Sequence, residues 1–301
     1  MQPIATAGPP RRRRPPVSLV LAAVAGVALL VLGVLFAAQR HSLIALSRAC
    51  GGAPAQVLDG QPLACTFDEE FGGTGLDPAK WQALSTPRAG FHTGFECFLD
   101  DAGHVQVAGG TLHLTLTQSR PGNGCQRLGL AYESGMVLTK GRFAQAYGRF
   151  TIRAKLPATP GVQPALWLYP QRLHYGKWPR SGEIDIAEVF GSATQTWPHL
   201  HYLGAAGNMH PGRACSVAPN ASGFHTYSVD WTPTMFTFRY DGIRCVTIDR
   251  WTPAPPLAAP APFDQPFFVL LELATGTGVN SPSPAMPLPQ TMQVDYVRVW
   301  G

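Results

Sequence analysis

Apolar and polar residues alternate along most of the chain after residue 65. This is the period of a β-strand, whose successive side chains point to opposite faces. The stretch HVQVAGGTLHLTLT predicts two strands joined by a short glycine turn, and FTFRYDGIRCVTI predicts a hairpin that turns at Asp-Gly. Similar strands are predicted at GRFTIRAKLP, FFVLLEL and MQVDYVRVW. About ten or more short strands in roughly 240 residues predict two packed antiparallel sheets, and therefore a β-sandwich.

The strands are expected to form one domain. The Pro-rich segment 252–264 is predicted to be a loop inside it, because too few residues follow for a second domain. Residues 39–64 are predicted to be a linker and lead-in, and residues 65–301 the folded domain.

The N-terminal region has a different pattern. Residues 17–38 are almost continuously apolar, and 22 residues at about 1.5 Å each can cross a hydrocarbon core of roughly 30 Å. We therefore predict a signal anchor or signal peptide helix over 17–38, with LFAAQR as a candidate cleavage region. Arg11–Arg14 precede this run, so residues 1–16 are expected to be a cytoplasmic basic tail with the C-terminal body outside.

The net charge of +5 belongs to this N-terminal region. The whole chain has 23 basic and 18 acidic residues. Residues 1–48 hold six Arg and no acid, so the rest of the chain has 17 basic and 18 acidic residues. A nearly neutral body lacks the clustered Lys and Arg that nucleic-acid binding needs, so no nucleic-acid partner is expected.

All six cysteines follow the apolar run, and none forms a C-x-x-C pair. An even number in a translocated body indicates disulfides rather than zinc ligands. Among the 15 full pairings that six cysteines allow, we expect the local ones. These are Cys50–Cys65, Cys97–Cys125 and Cys215–Cys245.

The segment SGEIDIAEVFG holds three acids, Glu183, Asp185 and Glu188. On a regular strand, Glu183 and Asp185 face one way and Glu188 faces the other. One extra residue near Ile186–Ala187, a β-bulge, would return Glu188 to the face of the other two. The same shift keeps the apolar residues of the segment on the buried face, so we predict the bulge.

Two glutamates brought together in this way would hold their carboxyl groups within about 5–6 Å, and retaining glycosidases use carboxyl groups about 5–5.5 Å apart. Crowded carboxylates resist simultaneous ionisation, so one proton stays on the group near neutral pH. A glycosidase uses such a proton to protonate the glycosidic oxygen as it leaves. The spacing alone also fits an exposed polar strand face, or a calcium site.

The identity of the residues gives more evidence than the spacing of the acids alone. The segment GEIDIAE resembles the catalytic signature of glycoside hydrolase family 16. It has the extra residue found in laminarinase-like members. Other stretches fit the family in the same order: FDEEFGGTGLDPAKW, SGMVLTKGRFAQAYGRFTIRAKLP, QPALWLYP, FHTYSVDWTPTMFTFRYDG and VDYVRVW. The similarity spans residues 66–301.

This resemblance implies an all-β fold, a concanavalin A-like jelly-roll β-sandwich of two antiparallel sheets whose concave sheet forms an open glycan cleft. It implies Glu183 as the catalytic nucleophile, Asp185 as its supporting carboxylate and Glu188 as the acid/base.

The resemblance also implies binding residues. Trp178 matches an aromatic residue that stacks on a sugar ring beside the scissile bond, and Trp167 and His201 match further cleft positions. Trp167 and His201 fit core positions equally well. No cofactor is required, although some members hold a structural calcium near the position of Asp295.

Two positions differ from the usual family pattern. Gln163 stands where the family usually has Trp, and Glu272 stands where it usually has Asn. Both concern the sugar-binding surface and leave the three acids intact.

The predicted function is a retaining endo-acting β-glycoside hydrolase, working by double displacement on β-1,3-glucan or a related β-glucan. We expect a monomer outside the cytoplasm, secreted or attached to the membrane through its N-terminal helix. The alternatives are a lectin-like sandwich without turnover, a structural envelope protein, and a transglycosylase that uses the same residues.

Overall fold

The computed structural model describes residues 50–54, 56–122, 124–216 and 223–301. Among them, no helix has the length and apolar character that a membrane crossing requires. The predicted basic tail and the predicted membrane segment at 17–38 lie outside the described residues.

The described residues form few helices and twenty strands. In chain order they are β1 (Val57–Leu58), β2 (Gln61–Pro62), β3 (Cys65–Glu69), β4 (Gln82–Ala83), β5 (Glu96–Phe98), β6 (Val105–Ala108), β7 (Thr111–Gln118), β8 (Tyr132–Ser134), β9 (Met136–Leu138), β10 (Gly148–Lys155), β11 (Val162–Pro170), β12 (Glu183–Glu188), β13 (Gln195–Gly204), β14 (Gly207–Met209), β15 (Cys215–Ser216), β16 (His225–Trp231), β17 (Phe236–Tyr240), β18 (Ile243–Ile248), β19 (Phe267–Thr275) and β20 (Gln290–Trp300). The short helices are α1 (Thr86–Ala89), α2 (Gly124–Arg127) and a 3-10 turn at Gly278–Asn280.

The strands form two large sheets. The larger sheet has the order β18-β17-β16-β10-β20-β7-β8-β5, with β3 beside β20 and β6 beside β7. The smaller sheet has the order β14-β13-β12-β11-β19-β9-β4, with β15 beside β13. The described pairs are antiparallel except β5 with β8. The predicted all-β sandwich is confirmed.

The core lies between the two sheets because each strand turns its apolar residues inward. Along β10, Phe150, Ile152 and Ala154 are buried, as the alternation predicts. The main hydrophobic cluster joins these residues to apolar residues of β11, β12 and β19 in the other sheet. The predicted hairpin forms between β17 and β18, with Asp241 and Gly242 both at positive φ in its turn.

Three disulfides close the body, and they are the three local pairs expected from the sequence: Cys50–Cys65, Cys97–Cys125 and Cys215–Cys245. The first links Cys50, within the predicted lead-in, to β3, and β1 and β2 form a small hairpin in the same lead-in. The third joins β15 of the smaller sheet to β18 of the larger one.

Candidate active site

The three acids lie on β12, and β12 carries the predicted bulge. Against β13, Asp185 stands opposite His199 while Glu188 stands opposite Trp197, so three steps along β12 match two along β13. Against β11 the register shifts between the partners of Asp185 and Ala187. The extra residue therefore lies at Ile186–Ala187, where the sequence predicted it.

The bulge sorts the side chains of β12 by polarity. Ile184, Ile186, Ala187 and Val189 are all at most 1% exposed and belong to the main core between the sheets. The three acids lie on the opposite side of the smaller sheet, which we call the acid face. A regular strand would have placed either Glu188 in the core or Val189 on the acid face.

A residue of the larger sheet satisfies the backbone at the bulge. The hydroxyl of Tyr240, on β17, donates a hydrogen bond of 2.9 Å to the carbonyl of Ile186. A bulge leaves its extra residue outside the regular ladder, and a buried carbonyl without a partner is costly. Tyr240 supplies that partner from across the core.

Glu183 and Asp185 share one end of the acid face with His201 and Trp178. His201 Nε2 lies 3.1 Å from Asp185 Oδ2 and 3.9 Å from Glu183 Oε1. The contact with Asp185 has an ion-pair distance but not the angle of a hydrogen bond, so within the described chain Asp185 Oδ2 has no hydrogen-bond partner. The Trp178 ring lies 5.8 Å from the His201 ring, and Trp178 is 47% exposed.

The two acids have different protonation preferences. Burial raises the pKa of Asp185 well above its usual value, and the charges of Glu188 and Glu272 raise it further. Burial and the charge of Asp185 also raise the pKa of Glu183, but His201 and the Trp178 indole act in the opposite direction. Burial is the largest cause of the raised pKa in both acids, and only in Glu183 do neighbouring groups oppose it by favouring the ionised form.

Glu188 occupies the other end of the acid face and has a nitrogen beside each carboxyl oxygen. Gln163 Nε2 donates a hydrogen bond of 3.2 Å to Oε1, and His199 Nδ1 lies 2.8 Å from Oε2. The carboxyl group is therefore fixed in direction. Gln163, one of the two departures from the family pattern, touches the predicted acid/base directly.

Glu272, the other departure, adds a fourth acid on β19. It stands opposite Ala165 on β11, and Ala165 stands opposite Glu188, so Glu272 and Glu188 flank one residue on the acid face. Burial and the charge of Glu96 raise the pKa of Glu272 to about 8.

The Thr93 hydroxyl contacts both Glu272 Oε1 and Glu96 Oε1. A hydrogen bond donated by Thr93 favours the ionised form of Glu272 and so acts against burial, which has the larger effect on the pKa of this acid.

The two predicted tryptophans have different surroundings. Trp178 is the more exposed one, as a platform for a sugar ring would require. Trp167 is 7% exposed and belongs to a small apolar cluster on the acid face with Ala165, Phe268 and Leu270. Its indole N–H has no hydrogen-bond partner in the described part of the chain.

Four side chains of the site could in principle hold a metal ion. One nitrogen or oxygen from each of Asp185, Glu188, His199 and His201 lies within 4.8 Å of the others. However, the His199–Glu188 and His201–Asp185 pairs are already closed at 2.8 and 3.1 Å. Ligands of a tetrahedral zinc, with bonds of about 2.0 Å, stand about 3.3 Å apart. We therefore describe these groups as acid–imidazole pairs rather than as metal ligands.

Asp295 lies on β20 of the larger sheet, away from the acid face, and its carboxylate is paired with Arg153. A guanidinium at this carboxylate competes with a cation, so the contacts do not favour calcium there. The calcium site stays a prediction.

Four neighbours of the acids are not among the predicted site residues: Gln163, His199, Glu272 and Tyr240. The sequence pattern could have indicated His199, since it lies two residues before His201 on a strand and so shares its face. Gln163 and Glu272 stand out in the sequence only as departures from the family pattern, and nothing in the local sequence of Tyr240 connects it with Ile186.

Comparison with known proteins agrees with this geometry. The family described as "Glycosyl hydrolases family 16" matches residues 91–297. The chain belongs to this family. The predicted resemblance to glycoside hydrolase family 16 is thereby confirmed.

Individual relatives of this family 16 chain include enzymes and a binding protein. It is 34% identical over 259 residues to "Glucan endo-1,3-beta-glucosidase A1" of Niallia circulans, covering 78% of this chain but only 37% of that protein. It is 27% identical over 353 residues to "Beta-1,3-glucan-binding protein" of Penaeus monodon, covering 84% of this chain and 95% of the other.

Among solved structures, the laminarinase from Rhodothermus marinus superposes with a TM-score of 0.69 at 29% identity, covering 79% of this chain and 97% of that one. The likeness agrees with the family 16 sandwich described above.

Proposed function

We propose that this protein is a retaining endo-acting β-glycoside hydrolase with a β-glucan as its substrate. The observation that carries the proposal is the bulge in β12, which places Glu183, Asp185 and Glu188 on one face of the smaller sheet. The approach of both Glu183 and Asp185 to His201, and of Glu188 to His199, supports one compact site.

Each acid has a separate role. Glu183, supported by the neighbouring Asp185, attacks the anomeric carbon while Glu188 protonates the leaving oxygen. Water that gives its proton to Glu188 then releases the sugar from Glu183, so the configuration at the anomeric carbon is retained. The cycle uses side chains alone and requires no cofactor.

The substrate follows from the relatives and the aromatic surface. The bulged motif and the similarity to an endo-1,3-β-glucosidase favour β-1,3-glucan. Exposed Trp178 offers a flat apolar surface for the axial C–H groups of a sugar ring, beside the nucleophile. Trp167 and His201 complete the binding surface.

The proposal is tested by incubating the full chain with laminarin and following both reducing ends and anomeric configuration by NMR. Shorter oligosaccharides first released as β-anomers are expected. Glu183→Ala should lower kcat/KM by a factor on the order of 10⁴ or more, because the nucleophile is lost. Added azide should partly restore cleavage and yield an α-glycosyl azide.

Glu70→Ala provides the control, since Glu70 is an exposed acid paired with Arg298 on β20 of the larger sheet. It should leave activity unchanged. Near-normal cleavage by Glu183→Ala would contradict the assignment of roles.

A glycan-binding protein without turnover is the second candidate, favoured by the similarity to a β-1,3-glucan-binding protein. It predicts retention of laminarin without new reducing ends. A transglycosylase predicts longer oligosaccharides when acceptor sugars are in excess. The intact acids favour hydrolysis.

The proposed location is outside the cytoplasm, either secreted or attached to the membrane through residues 17–38. Three disulfides support it, because such bonds persist in oxidising compartments. The protein acts as a monomer in this proposal.

A further inference from the structure

The surroundings of Glu188 set a chemical requirement. In the first step of the proposed reaction this carboxyl group must hold a proton, yet a nitrogen lies beside each of its oxygens, Gln163 Nε2 and His199 Nδ1. Hydrogen bonds from N–H donors stabilise the ionised form of a carboxyl group. Two permanent donors would therefore oppose the protonation that the reaction needs.

The two neighbours differ in one respect that resolves this conflict. The Gln163 amide cannot change its protonation state, whereas the imidazole ring of a histidine can carry a proton on one nitrogen or on both. A carboxylate and an imidazolium 2.8 Å apart can share one proton between oxygen and nitrogen.

Stacking around His199 favours a positive charge on its ring. The Trp197 ring is stacked on the His199 ring, with centroids 6.0 Å apart and an angle of 12° between the planes. An aromatic face at this distance attracts a cation. The ring is also partly shielded from water, since the His199 side chain is 16% exposed.

From these contacts we infer that His199 is a positioning residue that holds the catalytic proton together with Glu188, so that the acid/base function belongs to the pair. This inference rests on the proposed glycosidase function and adds a residue to it.

The proton balance closes over one cycle. In the first step the pair gives its one shared proton, through Glu188, to the glycosidic oxygen as the C–O bond breaks and Glu183 bonds to the anomeric carbon. The pair is then left with a carboxylate and a neutral imidazole. In the second step the attacking water gives a proton back to Glu188, and the pair regains its starting state.

Other titratable groups face the pair, and their charges also affect the pH dependence of the activity. They are Glu183 and Asp185 on β12, His201 on β13 with His210 beside it, Glu272 on β19, and Tyr240 from the larger sheet beneath. All of them stay in place in the variants described next.

The decisive variant is His199→Asn, because the Asn amide can keep a donor near the position of Nδ1 but cannot hold the extra proton. We expect the alkaline limb of kcat/KM on laminarin to move to lower pH by about 1–2 units, the gap between ordinary His and Glu side chains. At pH 7 the loss should be about 10–100-fold. With an aryl oligoglucoside that releases dinitrophenolate, which needs no proton, the loss should stay below about threefold.

His225→Asn is the matched control. His225 Nδ1 lies 2.7 Å from Asp241 Oδ2 on the larger sheet, a similar pair away from the acid face. Its pH profile should equal that of the wild type.

The outcomes separate the inference from the proposed function. Cleavage by the wild type with an unmoved alkaline limb in His199→Asn would show that His199 only orients Glu188, and would overturn the inference alone. No cleavage by the wild type would overturn the proposed function and the inference with it.

If His199→Asn does not fold, ¹⁵N NMR of histidine-labelled wild-type protein gives the answer. The His199 imidazole, assigned through its contact with the Trp197 ring, should carry protons on both nitrogens while the enzyme is active and lose one at the alkaline limb. Absence of such a histidine would overturn the inference.

Discussion

At the scale of single residues, the acid face holds more carboxyl groups than can ionise together. Glu183, Asp185, Glu188 and Glu272 lie in one region, and burial raises the pKa of Glu183, Asp185 and Glu272. Deep burial decides where protons stay, because desolvation opposes the charged form more strongly than distant charges do. Burial is the first cause of the raised pKa of Glu183, Asp185 and Glu272 alike.

Glu272 gives a prediction about stability. Its folded pKa of about 8 lies above the ordinary value of 4.5, so the folded state binds more protons than the unfolded state between these pH values. Stability is therefore lost as pH rises from about 4.5 to 8. Glu272→Gln should remove this loss and be more stable than the wild type at pH 8, by a few kcal/mol at about 1.4 kcal/mol per pKa unit.

Urea unfolding at several pH values measures this effect. The difference between Glu272→Gln and the wild type should be small at pH 4.5 and grow towards pH 8. Glu70→Gln, which changes an exposed acid paired with Arg298, is the control. A difference that does not change with pH would contradict the raised pKa.

At the scale of elements, the bulge in β12 places the three acids on one face of the smaller sheet and keeps the apolar residues of the strand in the core. It needs support from outside its own sheet, because its extra residue is not part of the ladder on either side. Tyr240 on β17 provides that support by its hydrogen bond to Ile186. The larger sheet therefore takes part in positioning the acids although it carries none of them.

Tyr240→Phe should remove this bond and leave the Ile186 carbonyl without its partner. We expect a loss of about 1–3 kcal/mol in the free energy of unfolding. Because small displacements of catalytic groups are costly, kcat/KM should fall by between about 3- and 100-fold. Unfolding in urea and laminarin kinetics measure the two effects.

Tyr202→Phe is a matched change, since the Tyr202 hydroxyl accepts a hydrogen bond from the backbone of Thr252 in a loop. It should lower stability without a comparable loss of activity. Equal activity in both variants would show that Tyr240 does not position the acids.

At the scale of the whole molecule, the two sheets are held together by the apolar core and by a covalent link. The Cys215–Cys245 bond joins β15 to β18, and thus the smaller sheet to the larger one, over a sequence separation of 30 residues. The other two disulfides fasten the lead-in to β3 and β5 to α2.

The double variant Cys215→Ala/Cys245→Ala should therefore be destabilised. Closing a loop of this length lowers the entropy of the unfolded chain and stabilises the fold by about 3–4 kcal/mol. Urea unfolding of the oxidised proteins measures the loss. Equal stability of variant and wild type would show that the core alone fixes the two sheets.

The sequence by itself determined the features that depend on near neighbours along the chain. Alternation predicted several of the strands and the buried face of β10, Asp241–Gly242 predicted a hairpin, and the conflict between Glu188 and Val189 predicted the bulge. These follow from backbone periodicity and local turn chemistry. Only the tertiary structure decided which polar groups surround the acids. Gln163, His199, Glu272 and Tyr240 come from four other strands, and the order and register of strands in the sheets are set by packing of the whole core.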